Sequence, residues 1–235
     1  MEKQWNNFCR ELFDNGGYKD VLNGLLATVE IAVFGLIIGI IIGTLIAMVK
    51  VVPKYKILPR ILEKVVDVYV GFFRGTPMVV QLLLGYFVLL PLLGIAVDSI
   101  IVAIVIFGLN SGAYVSEIMR AGIQSVDSGQ LEAGRALGLS YGKTMMRIVI
   151  PQSIKNILPT LGNEFITLIK ETSVVSFIAV VDLTKAFRQI GAAHYEYLVP
   201  YVVLALVYLV LVMLIALGVK MIERRFKRSE RRYSK

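Results

Sequence analysis

The sequence predicts an all-α integral membrane protein with five transmembrane helices. Three observations predict it. Of 235 residues, 57% are apolar and only 18% charged, against about 25% charged in a soluble domain. Five stretches are long and apolar enough to cross a bilayer core of about 30 Å, which takes about 20 helical residues. The 25 Lys and Arg residues gather on alternate connections between those stretches. A mean hydropathy of +0.73 excludes a disordered chain and almost any water-soluble enzyme. One Cys and one His exclude an intrachain disulfide and a structural zinc site, which needs about four ligands at short spacings.

Residues 1–19 form an outer interfacial segment, with Trp5, Phe8, Leu12 and Phe13 suited to an amphipathic helix on the membrane surface. It lacks the basic start and short apolar core of a cleavable signal peptide. The first span, about 21–49, carries Gly35, Gly39 and Gly43 at four-residue spacing, a face that lets another helix approach closely. Its one charge, Glu30, is expected to pair within the bundle. The second span lies within 57–93. Its first third, Ile57–Asp67, is charged and is expected at the interface, and its membrane part, about 68–93, is interrupted at Arg74-Gly75-Thr76-Pro77. The third span is about 98–119, the fourth, most polar one about 153–176, and the fifth about 197–222. Residues 177–196 are expected to form an outer gate or re-entrant turn.

Segments 50–64, 117–147 and 220–235 hold five, four and eight basic residues, whereas 1–20, 91–99 and 170–199 hold three, none and three. The positive-inside rule then puts the N-terminus outside and the C-terminus in the cytosol. A sixth crossing, made by splitting the second segment at Pro77, would spoil this alternation. The basic tail 223–235 is expected to rest on membrane lipid rather than bind nucleic acid.

Between spans three and four, the cytosolic segment 120–151 is long for a simple connection. It reads as two short helices. Asp127 or Ser128 caps the first, Gly138 suits a left-handed C′ position, and Ser140 caps a second helix that runs to about Ile150 before Pro151. Such a projecting pair exposes side chains that need a partner or the lipid headgroups. Gly138-Leu139-Ser140-Tyr141-Gly142-Lys143-Thr144 is not a phosphate loop: three residues separate its glycines where four are required, and no strand pattern precedes it.

Glu132-Ala133-Gly134, three residues, Gly138, nine residues and Ile148-Val149-Ile150-Pro151 resemble the EAA loop of ABC-importer permeases. Gly134 and Ile150 depart from that family's alanine and leucine, and Gly134 is expected to loosen the first helix somewhat, since glycine costs about 1 kcal/mol relative to alanine there. Phe73-Arg74-Gly75-Thr76-Pro77, Val80-Gln81-Leu82, Ala113–Arg120, Gly129–Ala133, Gly162–Ile166 and Lys170–Ser176 resemble the polar amino acid branch, the histidine, arginine, glutamine and cystine type. The likeness spans roughly 20–222, the transmembrane domain. It implies a type I importer fold in a bacterial plasma membrane and a permease subunit with no cofactor of its own. ATP and Mg would be bound by a cytosolic ATPase dimer. A second permease subunit, identical or related, would pair with this chain, and an extracytoplasmic binding protein would deliver the substrate. Glu132, Ala133, Gly134, Leu137, Gly138 and Ser140 would dock into the ATPase, with Glu132 free to bond a basic residue there.

Charges inside a membrane are costly and point to function. Glu164 lies 13 residues past Pro151, about 20 Å along a helix of 1.5 Å rise. Thr160, Glu164, Thr167 and Glu171 recur on one face, flanked by Asn163 and Lys170, and this stripe is expected to line a pathway. Arg74 and Thr76 stand at the proline break, where freed backbone groups can bind a substrate's charged ends. Arg74 equally suits pairing with Glu30, Glu164 or a headgroup. Asn110, Ser111 and Tyr114 are softer candidates. A central Glu164 suits a cationic amino acid. An ion-coupled secondary transporter or channel would also carry such charges but gives no reason for the pattern from Glu132 to Pro151. A membrane enzyme would need a nucleophile–base pair that the spans lack.

Overall fold

The computed structural model describes residues 1–52 and 57–233, with side chains described up to residue 224. Helix α1 (Glu2–Cys9) runs into a π turn (Arg10–Asp14), and Gly16 separates that turn from α2 (Gly17–Val51). Then come α3 (Ile57–Gly75), α4 (Met78–Leu92, with a π turn at Leu84–Leu89) and α5 (Ser99–Gln124). A short helical hairpin follows, α6 (Ser128–Ala136) and α7 (Tyr141–Thr144). A π turn (Met145–Val149) carries α7 into α8 (Ile150–Glu171) and a 3-10 turn (Thr172–Ile178). Helices α9 (Leu183–His194) and α10 (Leu198–Tyr233) complete the chain. No strand occurs among the described residues.

The centre of the molecule is the α2–α5 pair, and the glycines explain it. Gly35, Gly39 and Gly43 of α2 meet Phe107, Ser111 and Val115 of α5, while Gly108 and Gly112 of α5 meet Ile38 and Ile42 of α2. A methyl group on Gly39 would lie 2.6 Å from Ser111 Oγ, and one on Gly43 2.7 Å from Val115 Cβ. Removing side chains from both faces lets the backbones approach, so contact replaces the hydrophobic drive that lipid cannot supply. Around this pair Ile31, Ala32, Leu82, Ala103, Phe107, Leu168, Ile169, Val175 and Ile178 form the main core, which joins α2, α4, α5, α8 and the 3-10 turn.

Helices α2, α5 and the Leu198–Arg224 part of α10 are each long and apolar enough to cross a membrane. The pair α3–α4 passes that test only when joined, and its two halves meet at 109°. The bend falls where Pro77 removes a backbone donor and holds extended geometry. Helix α8, within the expected fourth span, does not qualify by length and composition, and at membrane depth its polar residues would need shelter by protein or water.

Two local expectations change. The second hairpin helix does not stop before Pro151. The π turn at Met145–Val149 carries the helix past the proline, which sits in the first turn of α8 where its missing N–H costs least. The fourth span's helix ends at Glu171 and tightens to 3-10 geometry rather than continuing to 176. Helix α10 runs on through residue 222 to Tyr233, so the basic tail begins within the same helix.

At the end of the bundle bearing the N-terminus, Asp182 is fully buried and accepts from the Thr184 and Lys185 amides, both at 3.0 Å, capping α9. Its backbone lies against Gly24 of α2. Leu183, Phe187 and Ile190 of α9 enclose Phe8 of α1. Only part of the N-terminal amphipathic face is therefore free: Phe8 packs into protein, while Trp5 and Phe13 stay exposed.

Candidate functional site

The break between α3 and α4 leaves carbonyls without helical partners, a state tolerated at membrane depth only when other groups satisfy them. Gln81 does this. Its amide nitrogen lies 2.9 Å from Phe73 O, 3.0 Å from Thr76 O and 2.9 Å from Thr76 Oγ1. Asn110 Nδ2 of α5 donates to Gln81 Oε1 at 2.9 Å and to Phe73 O at 3.2 Å. Both carboxamides are buried. Thr76 and Asn110, expected to meet a substrate, thus spend these groups on closing the break. Gln81 was part of a motif in the sequence but was not among the candidate site residues. Its signal was its place four residues after a proline in an apolar helix.

Ser111, next to Asn110 on α5, donates to Glu164 Oε1 at 3.0 Å. The carboxylate of α8 thus leans back onto the α2–α5 pair, where Gly39 leaves room for the serine. Asn156, Thr160, Asn163, Thr167 and Lys170 form the exposed polar line on α8, and Glu164 and Glu171 are half-buried along its edge. The exposed polar line of the helix therefore runs through Asn163. Thr167 Oγ1 bonds Asn163 O at 3.1 Å.

Arg74 joins neither Glu164 nor Glu30. Its guanidinium lies 5.4 Å over the Tyr114 ring and 4.0 Å from Glu117 Oε2. Glu30 is exposed, without an ion pair among the described residues. The candidates thus fall into two groups. Glu164, Ser111, Asn110, Gln81 and Thr76 follow one another from α8 across α5 to the break, with Thr160, Asn163 and Thr167 beside them. Arg74 and Tyr114 belong to a separate charged cluster.

The hairpin is built from local signals. Asp127 Oδ1 accepts from the Gly129 amide at 2.7 Å and caps α6. Gly138 takes φ +76°, a left-handed conformation open to glycine at little cost. The Gly138 and Leu139 amides return to Arg135 O and Gly134 O at 2.9 and 3.1 Å. Ser140 stands at the N-cap of α7, but its side chain makes no capping bond. Gly134 does more than loosen α6: it is buried against Thr144 of α7, itself fully buried, so the missing side chain is what lets the two helices touch. Tyr141 donates to Val51 O of α2 at 3.2 Å, tying the hairpin to the bundle. Burial pushes the Tyr141 hydroxyl pKa up. Glu132, Ala133, Gly138 and Ser140 are all exposed, and Leu137 is 81% exposed.

Apolar helices around a polar seam, with a helical hairpin exposed at one end, suit the class of membrane transport subunits. Residues 35–228 match the family model described as the binding-protein-dependent transport system inner membrane component. The chain belongs to this family. It is 43% identical over 210 residues to the arginine transport system permease protein ArtQ of Bacillus subtilis (strain 168), covering 89% of this chain and 94% of that one. It is 41% identical over 205 residues to the putative glutamine transport system permease protein GlnP of Rickettsia bellii (strain RML369-C), covering 87% and 92%. A crystal structure of an amino acid ABC transporter with histidines superposes with a TM-score of 0.82 at 37% identity, over 91% of this chain and 97% of that one.

Proposed function

We propose that this chain is half of the membrane pathway of an ATP-driven ABC importer for a polar or charged amino acid. On this reading it crosses the bacterial plasma membrane five times, with the N-terminus outside and the C-terminus in the cytosol. It pairs with a second permease subunit and receives substrate from an extracytoplasmic binding protein. A cytosolic ATPase dimer, which holds the ATP and Mg, docks on Glu132, Ala133, Gly134, Leu137, Gly138 and Ser140. The chain itself carries no cofactor.

The observation that carries the reading is the hairpin: an exposed leucine and glutamate on two short helices locked by the Gly134–Thr144 contact. A rigid pair of this kind passes a rigid-body movement on to the spans. Glu164 supports a cationic substrate, because its carboxylate has one hydroxyl partner and no ion pair among the described residues. The similarity to an arginine transport permease and to an amino acid ABC transporter with histidines supports the same class.

The test is uptake by the assembled complex in proteoliposomes. Uptake that requires ATP and survives collapse of ion gradients is expected. Gradient-driven uptake without ATP would make the chain a secondary transporter or channel.

A further inference from the structure

Five charges meet at the other end of the α2–α5 pair, outside the seam. Lys50 Nζ at the end of α2 lies 2.8 Å from Glu117 Oε1 of α5 and 3.0 Å from Asp67 Oδ1 of α3. Arg120 contacts Glu117 Oε2 through Nη2 at 2.7 Å and Nε at 3.2 Å, and Arg74 of α3 stands 4.0 Å from the same oxygen. The Lys50 and Glu117 side chains are only 10% and 20% exposed, whereas those of Asp67 and Arg74 are 56% and 45% exposed. The α2 and α5 members are thus fixed, and the α3 members sit at the open edge.

Val70 is the one buried side chain of α3 among those described. Val70 packs with Ile46 and Ala113 in a small cluster that also takes in Val66, Tyr69 and Phe73. Leu58, Ile61, Leu62, Val65, Val68 and Phe72 face outward. Helix α3 leans on the α2–α5 pair through this small apolar cluster, the charge cluster, the Tyr69 bond to Leu109 O and the stapled break. Glu117 lies six residues from Ser111 and seven from the end of α5 at Gln124.

We propose that Glu117 is a lock: with Lys50 it holds Asp67 and Arg74, and so α3, against α2 and α5. Its release lets α3 swing on the break at Pro77 and opens the seam below Glu164. This rests on the import reading, in which that end is cytosolic and the lock closes the exit. Glu117 and Lys50 are positioning residues that touch no substrate.

The experiment uses the assembled complex in proteoliposomes, with Cys9→Ser as background. Val70→Cys and Ala113→Cys, which pack in one cluster, are joined by a short bis-thiosulfonate reagent. Linked complexes are expected to lose at least about ten-fold in uptake, with recovery on reduction and no effect on either single-cysteine variant. Uptake at the unlinked rate by fully linked complexes overturns the lock. Glu117→Gln without cross-linking is expected to raise ATP hydrolysis in the absence of substrate several-fold, whereas Glu117→Asp, which keeps the carboxylate among Lys50, Arg74 and Arg120, is expected to raise it less. Unchanged basal hydrolysis in Glu117→Gln also overturns it. ATP-independent uptake by the background complex would instead remove the import reading, and the exit role with it.

Discussion

Replacing Gly134 by alanine, the residue that the EAA pattern carries there, is expected to weaken this protein. A methyl group on Gly134 would stand 2.9 Å from Thr144 Oγ1 and 3.2 Å from Thr144 Cβ, and it would meet Thr144 Cγ2 inside van der Waals contact. Thr144 cannot turn away freely, because it is fully buried and its hydroxyl bonds Ser140 O at 3.1 Å. Forcing an extra methyl into such a contact costs about 1–3 kcal/mol. Alanine in the helix returns about 1 kcal/mol. The net loss is about 1 kcal/mol, or roughly five-fold in the population of the docked hairpin. Binding of the cognate ATPase to the purified permease, measured by titration in detergent or nanodiscs, reads this change. Thr144→Ser removes Cγ2 and keeps the hydroxyl, so the double variant should recover most of the loss, the non-additivity expected of residues in contact. Tighter ATPase binding in Gly134→Ala alone, or no recovery in the double variant, would refute the packing argument.

Three other outcomes are expected. Gly39→Ala pushes on Ser111, since the new methyl would stand 2.6 Å from its hydroxyl. Substrate affinity should fall several-fold, while Gly71→Ala, with nothing within 4 Å of the added methyl, leaves it unchanged; equal behaviour of the two in an uptake assay would detach Ser111 from Glu164. Glu164→Gln should change affinity or selectivity among amino acids without altering assembly, read by substrate-stimulated ATP hydrolysis across a panel. At the N-terminal segment, the Asn15 side chain holds the Glu11 carboxyl below its ordinary 4.5, burial opposes this, and His194 and Arg10 add to it. Ionised Glu11 thus favours the docked segment: its contribution is complete above pH 4.5 and is lost as pH falls through the depressed value. Fluorescence of Trp5, the single tryptophan, should show that acid transition and lose it in Glu11→Gln.

What the sequence revealed was mostly what neighbours in the chain decide. The Asp127 cap and the left-handed Gly138 depend on a few adjacent residues, so the hairpin could be drawn before its contacts were known. The four-residue glycine spacing on α2 likewise declared a close partner, though not that α5 would answer with glycines of its own. Interactions between distant residues were hidden. Nothing near Gln81 in the chain says that Asn110 will share its carboxamide, and Arg74 looked free to meet Glu164 because the 109° bend that turns α3 away is a property of the assembled bundle. Gly134 looked like a weakness for the same reason: its value depends on Thr144, ten residues on and in another helix. Pro151 misled in the opposite direction, since a π turn let the helix run past a residue that ordinarily marks a boundary.

Helix α5 explains how such separate features can act together. Within fifteen residues it carries Asn110, which closes the break, Ser111, which holds Glu164, Glu117, which gathers the charges on α3, and Gln124, which bonds Arg120 at 2.8 Å just before the hairpin begins. Its glycine-mediated contact with α2 leaves no slack along that face, and packed interiors transmit strain rather than absorb it. A push on the hairpin is therefore more easily met by moving the whole α2–α5 pair than by bending α5. The part best able to move against that pair is α3, which has Val70 as its one buried side chain among those described, whereas α8 is packed onto the pair through Leu168 and Ile169 of the main core. Helix α3 carries Asp67 and Arg74 of the charge cluster and α8 carries the polar line, so a movement of the pair takes α8 with it and shifts both against α3 without any residue between them needing to change its fold.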